Sequence, residues 1–290
     1  MTVFLNGKFL PLGEAQVSVL DRGFIFGDGV YELVPVYSRV PFRLDEHLTR
    51  LERSLGEAKI RNPHSRAQWR AHIYQLIDAQ PFEDQGIYFQ VTRGVAKRDH
   101  AFPKNAEPTV FMMSNPLVNP PAEQVEKGVA AVSAQDNRWL RCDIKSISLL
   151  GNCMLRQLSA EAGANETILF RDAKLTEASA SNVFIVKRGV ILAPPKSNLI
   201  LPGITYDVVA ELAQANSMAL EFRDIPEAEA RAADELWVTS SSKEVLAIVE
   251  LDGARIGDGR PGPVFRRMYQ LYQEFKLKVM RAGKREAVSV

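Results

Sequence analysis

Cysteine is nearly absent: the chain has two, Cys142 and Cys153, among 290 residues. That excludes the multi-bridge framework of a small secreted domain, and the pair lacks metal-ligand spacing, so both read as free thiols in a reducing compartment. An excess of one charge is missing too. Lys and Arg total 36 against 35 Asp and Glu, a balance that offers no footprint for nucleic acid or an anionic membrane. No apolar run is long enough to cross a bilayer. The opening Met1-Thr2-Val3-Phe4-Leu5-Asn6-Gly7-Lys8 also lacks the basic and apolar regions of a signal peptide, which predicts a cytoplasmic chain. No repeat or low-complexity tract occurs. With 46% apolar residues the chain can fill two moderate cores, and small-molecule chemistry is the class of function left open.

Periodicity predicts an α/β chain. Asn6-Gly7 between Val3-Phe4-Leu5 and Lys8-Phe9-Leu10 reads as a type I′ hairpin turn. Strands are expected at 29–37, 40–43, 87–92 and 109–113. Asp45 is expected to N-cap a helix that buries Leu48, Leu51 and Leu55, and a second helix from Ser65 buries Trp69, Ile73 and Leu76. Three prolines in Asn115-Pro116-Leu117-Val118-Asn119-Pro120-Pro121 mark a linker. The expected division is therefore a first domain over 1–116, a linker over 117–122, a second domain over 123–282 and a disordered tail over 283–290. Within the second domain, strands are expected at 129–133, 167–171, 183–186, 190–193, 235–239 and 245–250. Helices are expected at 149–162, closed by Gly163, at 205–215 and at 263–280, and Asp252-Gly253 forms a hairpin turn.

Three separated segments could carry chemistry. Lys145, in Arg141-Cys142-Asp143-Ile144-Lys145-Ser146, is by itself one lysine among many, and most lysines are solvated. Thr176-Glu177-Ala178-Ser179-Ala180-Ser181-Asn182 is a polar run entering an apolar strand, which also describes an ordinary loop. Leu201-Pro202-Gly203-Ile204-Thr205 places a glycine before a helix start, where free amides and the helix dipole favour an anion, although most such turns bind nothing.

Together and in this order, these segments resemble the fold-type IV pyridoxal-phosphate enzymes. The likeness extends from Asp21-Arg22-Gly23-Phe24-Ile25-Phe26-Gly27-Asp28-Gly29-Val30-Tyr31-Glu32 through Glu46-His47-Leu48-Thr49-Arg50-Leu51 to Leu236-Trp237-Val238-Thr239-Ser240-Ser241. It implies a two-domain fold with pyridoxal 5′-phosphate at the domain interface, held by Lys145 as a Schiff base. Lys145 would also shuttle the substrate proton, work suited to a lysine whose pKa its site lowers. Glu177 would face the pyridine nitrogen. Arg50, Ile204, Thr205, Ser240 and Ser241 would take the phosphate, and Leu201 would pack on the ring. Without the resemblance, Arg50 reads as an exposed helix residue. No metal is implied.

Arg98-Asp99-His100 points to the D-specific aminotransferase branch. There the resemblance implies a homodimer in which Tyr31 of one subunit, with Arg98 and His100 from its partner, grips the substrate α-carboxylate. Leu33 and Tyr88 are expected to line the substrate pocket. The implied reaction is ping-pong transamination between a D-alanine-like amino acid and a 2-oxoglutarate-like oxo acid. Branched-chain L-amino-acid transamination and β-elimination of the aminodeoxychorismate-lyase type are the alternatives. Leu33, Ala180 and Tyr206 depart from the usual residues, the last two standing where serine and arginine are common.

Overall fold

A computed structural model of the chain describes residues 1–283. By its contacts the chain divides into two units. The first comprises Met1–Leu117, Ile144–Leu149 and the segment from Val279; the second comprises Val118–Asp143 and Leu150–Lys278. Lys145, which sequence order puts beyond the linker, thus belongs with the first unit. The expected tail lies outside the described residues from 284 onward. Arg281, just past the end of the expected closing helix, is paired with Asp84, its Nη1 2.9 Å from Oδ1.

The first unit contains β1 (Thr2–Leu5), β2 (Lys8–Pro11), α1 (Arg22–Phe26), β3 (Gly29–Tyr37), β4 (Val40–Pro41), α2 (Leu44–Glu57), α3 (Arg66–Asp78), β5 (Gln85–Thr92) and β6 (Thr109–Pro116). Its strands form one antiparallel sheet in the order β2-β1-β6-β5-β3-β4. Asn6 (φ 46°) and Gly7 (φ 87°) make the predicted turn. Ser65 caps α3 in a reciprocal box with Gln68. α2 begins two residues earlier than expected, with Arg43 before it and Asp45 inside its first turn, where a carboxylate still favours the helix dipole. Leu48, Leu51 and Leu55 of α2, with Trp69, Ile73 and Leu76 of α3, are buried with Val30, Val34, Ile87, Phe89 and Met112 of the sheet. Each such leucine contributes about 1.5–3 kcal/mol by leaving water. β6 runs past the expected end at residue 113 through Asn115 and Pro116, the start of the proline-rich stretch. Of β6, β1 pairs with Phe111 and Met112 alone, so Pro116 sits beyond it, paired with Gln85, where its missing N–H costs no second ladder bond.

The second unit contains α4 (Ala122–Lys127), β7 (Val129–Gln135), α5 (Leu150–Glu161), β8 (Glu166–Arg171), β9 (Lys174–Ala178), β10 (Asn182–Lys187), β11 (Val190–Ala193), α6 (Ile204–Ala215), β12 (Leu220–Phe222), α7 (Glu227–Arg231), β13 (Glu235–Ser240), β14 (Glu244–Leu251), β15 (Ala254–Arg255) and α8 (Pro263–Phe275), the last followed by a π-helical turn, Lys276–Met280. The sheet order is β12-β11-β10-β13-β14-β7-β8-β9, with β15 on β14. β7 lies parallel to both β14 and β8. Val129, Ile168, Val183, Ile185, Leu236, Val238, Leu246 and Ile248 fill its core. Gly262 cannot cap α8 with a side chain; the Glu235 carboxylate does so, accepting from the amides of Val264 (2.9 Å) and Phe265 (2.7 Å). Among the described residues no helix is long and apolar enough to cross a membrane, and both cysteines are free thiols.

Candidate active site

The first unit presents one open sheet face. Tyr31 lies opposite Gln90 and Leu33 opposite Tyr88 in the β3–β5 ladder, and these two β5 residues lie opposite Phe111 and Met113 of β6. Directly opposed residues share a face, and all six are half-buried, whereas the intervening Val30, Glu32, Val34, Ile87, Phe89 and Met112 are buried beneath the helices. The Tyr31 and Tyr88 rings lie 5.6 Å apart, and the Tyr88 hydroxyl donates to Gln90 at 2.7 Å. Burial pushes the Tyr88 phenol up to about 12.

Lys145 reaches this face because the segment after it completes the exposed end of β3. The Tyr31 amide donates to the Lys145 carbonyl (2.9 Å), Val30 bridges Ser146, and the Ile147 amide donates to Gly29 (3.0 Å). The Lys145 amide donates to Ser54 Oγ of α2 at 3.2 Å. Its side-chain amine is half-buried, 4.2 Å from the centre of the Tyr31 ring.

Arg50 is not an exposed helix residue. Its Nε donates to Glu32 Oε1 at 2.7 Å and its Nη2 to Oε2 at 2.8 Å, a bidentate pair with almost no solvent on either partner. His47 Nδ1 lies 2.8 Å from the same carboxylate. Burial opposes ionisation of Glu32, but Arg50 and His47 outweigh it and hold the carboxyl well below its usual range. Burial dominates at His47 and lowers its pKa against the opposing pull of Glu32. His47 Nε2 is left buried with no hydrogen-bond partner among the described residues.

Arg98 and His100 are exposed on the loop after β5, flanking the Phe26 ring: the Arg98 guanidinium carbon is 5.4 Å from its centre and the His100 ring 5.5 Å.

In the second unit, buried Glu177 of β9 accepts from Arg138 Nη1 (2.6 Å) and the Leu201 amide (3.0 Å), with Asn182 Nδ2 at 3.4 Å. Burial pushes its carboxyl up to about 7 against the opposing pull of Arg138 and the Leu201 amide. Arg138 is itself fixed on Asp136, through Nε at 2.9 Å to Oδ1 and Nη2 at 2.9 Å to Oδ2. Asn182 also donates to the Leu201 carbonyl at 2.8 Å, tying the 201–203 turn to β10. A Cβ on Gly203 would come within 2.0 Å of Asn182 Oδ1, so any larger residue has to displace that side chain.

α6 starts immediately afterwards without a side-chain cap, leaving the Ile204 and Thr205 amides at its N-terminus. Ser240 accepts from the Lys243 amide at 3.1 Å in the turn that also holds Ser241. Thr239 Oγ1, opposite Asn182 in the β10–β13 ladder, is buried with no partner among the described residues. Uncapped amides, hydroxyls and an unsatisfied threonine are donors a phosphate monoester could use, and a buried carboxyl near neutrality could serve a pyridine nitrogen. The residues present fit the cofactor that the sequence implies.

Of the departures, Tyr206 is buried, donating to the Pro194 carbonyl (2.8 Å) and packed 4.8 Å from Phe184, while Ala180 is exposed and Leu33 is on the open face. Sequence reasoning gave no role to Glu32, His47, Arg138 or Asn182. For Glu32 a signal existed: strand alternation puts it on the core face between Val30 and Val34, where a carboxylate demands a cation. Arg138, 39 residues from Glu177, carried none.

The chain matches the family described as Amino-transferase class IV over residues 29–251. It belongs to the class IV aminotransferases, pyridoxal-phosphate-dependent enzymes of fold type IV. It is 41% identical to a D-alanine aminotransferase of Bacillus licheniformis, over 94% of this chain and 96% of that one. A D-alanine aminotransferase of Staphylococcus aureus (strain MW2) is 38% identical over 94% and 97%. Among solved structures, a branched-chain aminotransferase of the thermophilic archaeon Thermoproteus uzoniensis with norvaline superposes with a TM-score of 0.86 at 26% identity, covering 97% of each chain.

Proposed function

We propose that this enzyme transfers the amino group of a D-alanine-like amino acid to a 2-oxoglutarate-like oxo acid, as a homodimer in the cytoplasm. The observation that carries the reading is the Lys145 amine 4.2 Å from the Tyr31 ring, on an open sheet face. That proximity supports a reading in which a proton carrier works beside a phenol able to hold a carboxylate. The D-alanine aminotransferases that share 36–41% of its residues support the choice of enantiomer. Exposed Val19, Leu20, Phe24 and Phe102, around the Arg98 loop, support a second copy as the partner, and two free thiols suit a reducing compartment.

Bound pyridoxal phosphate supplies the electron sink for deprotonation at Cα. Lys145 would hold the cofactor through its amine, and the free amine would take the proton from the substrate Cα. Glu177 holds the proton of the pyridine nitrogen, with Arg138 and the Leu201 amide fixing the carboxyl. Arg50, aimed by Glu32 and His47, supplies positive charge for the phosphate; the Ile204 and Thr205 amides, Ser240 and Ser241 supply neutral donors. Leu201 packs on the ring. Tyr31, with Arg98 and His100 of the partner copy, orients the substrate carboxylate and so decides which face of Cα meets Lys145. Leu33 and Tyr88 bound the side-chain space.

The fold likeness to branched-chain aminotransferases keeps one second reading, an L-specific reaction. A half-reaction panel of D- and L-alanine and D- and L-leucine, followed by loss of the bound cofactor's absorbance, separates them. Reaction with D-alanine is expected; reaction with L-leucine alone overturns the D-specific reading. Product released without any added oxo acid would point to a lyase. Lys145→Ala is expected to abolish turnover, and retained turnover overturns its role.

A further inference from the structure

Of the residues proposed to grip the substrate carboxylate, Tyr31 is held in the β3–β5 ladder, whereas the side chains of Arg98 and His100 have little beyond the Phe26 ring to hold them. Arg98 is exposed, with no ion pair and no acceptor among the described residues; its guanidinium meets only the Phe26 ring. A donor fork that must meet a carboxylate in one orientation needs its backbone fixed by other means. The structure supplies a candidate entirely within the first unit.

Asp28, just before β3, accepts from two buried arginines. Arg22 Nε donates to Oδ2 at 2.7 Å, while Arg93 donates through Nε to Oδ2 at 2.8 Å and through Nη2 to Oδ1 at 2.9 Å. Each arginine then fastens one part of the 98–102 loop. The Arg22 Nη1 donates to the Asp99 carbonyl at 2.5 Å and lies 3.5 Å from that of Ala101; its Nη2 lies 3.5 Å from the His100 carbonyl. The guanidinium carbon of Arg93 lies 3.6 Å from the centre of the Phe102 ring. Arg93 is anchored behind by the carbonyls of Lys59 (2.7 Å) and Ala58 (2.8 Å). Arg22 also lies 4.8 Å from the centre of the Phe26 ring that Arg98 and His100 flank. Backbone carbonyls and a ring cannot neutralise two buried cations, so Asp28 is the counterion that lets both arginines stay in place.

We propose that Asp28, through Arg22 and Arg93, is a positioning residue for the carboxylate-binding loop and thereby sets affinity for substrates with a carboxylate on the reacting carbon. The proposal rests on the reading of Arg98 and His100 given above. Both halves of the reaction would feel it, since amino acid and oxo acid each carry that carboxylate.

The test compares D-alanine with ethylamine, the same framework without the carboxylate, in single half-reactions of the pyridoxal-phosphate holoenzyme and its Asp28→Asn, Arg22→Lys and Arg98→Met variants. Asp28→Asn and Arg22→Lys are expected to raise the KM for D-alanine by about tenfold or more. The maximal rate, the ethylamine rate and the cofactor absorbance should stay near those of the unsubstituted enzyme. Arg22→Lys keeps the charge and loses the fork, so it decides the matter if Asp28→Asn does not fold. If both leave the ratio of D-alanine to ethylamine rates unchanged while Arg98→Met collapses it, the clamp is refuted and the carboxylate reading stands. An equal fall with both substrates also refutes it, because loss would then be general. An unchanged ratio in Arg98→Met overturns the carboxylate reading itself.

Discussion

Replacing Glu177 with glutamine removes an ionisation that the fold resists while leaving an oxygen to accept from Arg138 and the Leu201 amide. In the folded protein burial raises this carboxyl from its ordinary 4.5 to about 7. At about 1.4 kcal/mol per tenfold change in the ionisation equilibrium, that displacement corresponds to about 3 kcal/mol. A raised folded-state pKa means that the native protein keeps a proton the unfolded chain has released, so stability falls as pH rises. The contribution is fully present below 4.5, declines between 4.5 and about 7, and is gone above that. Urea unfolding of the cofactor-free protein from about pH 4 to about pH 8.5 should show the native sequence losing about 3 kcal/mol relative to Glu177→Gln. Glutamine cannot ionise, so the difference isolates this group from every other titration. Loading with pyridoxal phosphate should flatten the difference, because a cationic ring nitrogen beside the carboxyl favours its charged form. Parallel profiles for the two cofactor-free proteins would refute the reasoning, for they would mean that Arg138 and the Leu201 amide offset burial and Glu177 ionises alike in the folded and unfolded chain.

Two further substitutions test the surroundings. Glu32→Ala leaves Arg50 buried beside His47 without its carboxylate and should cost about 3–5 kcal/mol in urea unfolding, with weaker retention of the cofactor; a loss under about 1 kcal/mol would show the pair to be dispensable. Gly203→Ala drives a methyl to 2.0 Å from Asn182 Oδ1 and should displace the asparagine from Leu201. A cost of about 1–3 kcal/mol is expected with faster cofactor release, and unchanged release would separate this turn from the phosphate.

Much of the local structure was legible in the chain. Asn6-Gly7 tolerates positive φ and closes the first hairpin, Ser65 and Gln68 form a reciprocal cap, and leucines at helical spacing are buried in α2. These features depend on neighbours within a few residues, which is the range over which sequence pattern is informative. The end of β6 was not, for the complementary reason: whether Pro116 can end a strand depends on how far the distant β1 reaches. Five- and six-residue helices such as α1 and α4 carry too little periodicity to read.

The site divides in the same way. The order of separated motifs around Lys145, Glu177 and Arg50 was enough to indicate the family and the cofactor, because side-chain chemistry needed at fixed points leaves its residue types in the sequence. The electrostatic state of those residues was decided only in three dimensions. Arg50 reads as a solvated helix residue until Glu32, 18 positions away, is found buried against it. Glu177 acquires its raised pKa from the loss of water on folding, partly offset by an arginine 39 positions away. Asp28 joins two arginines that lie 6 and 65 residues from it. Charge energies depend on distance and burial, and neither is a property of residue order.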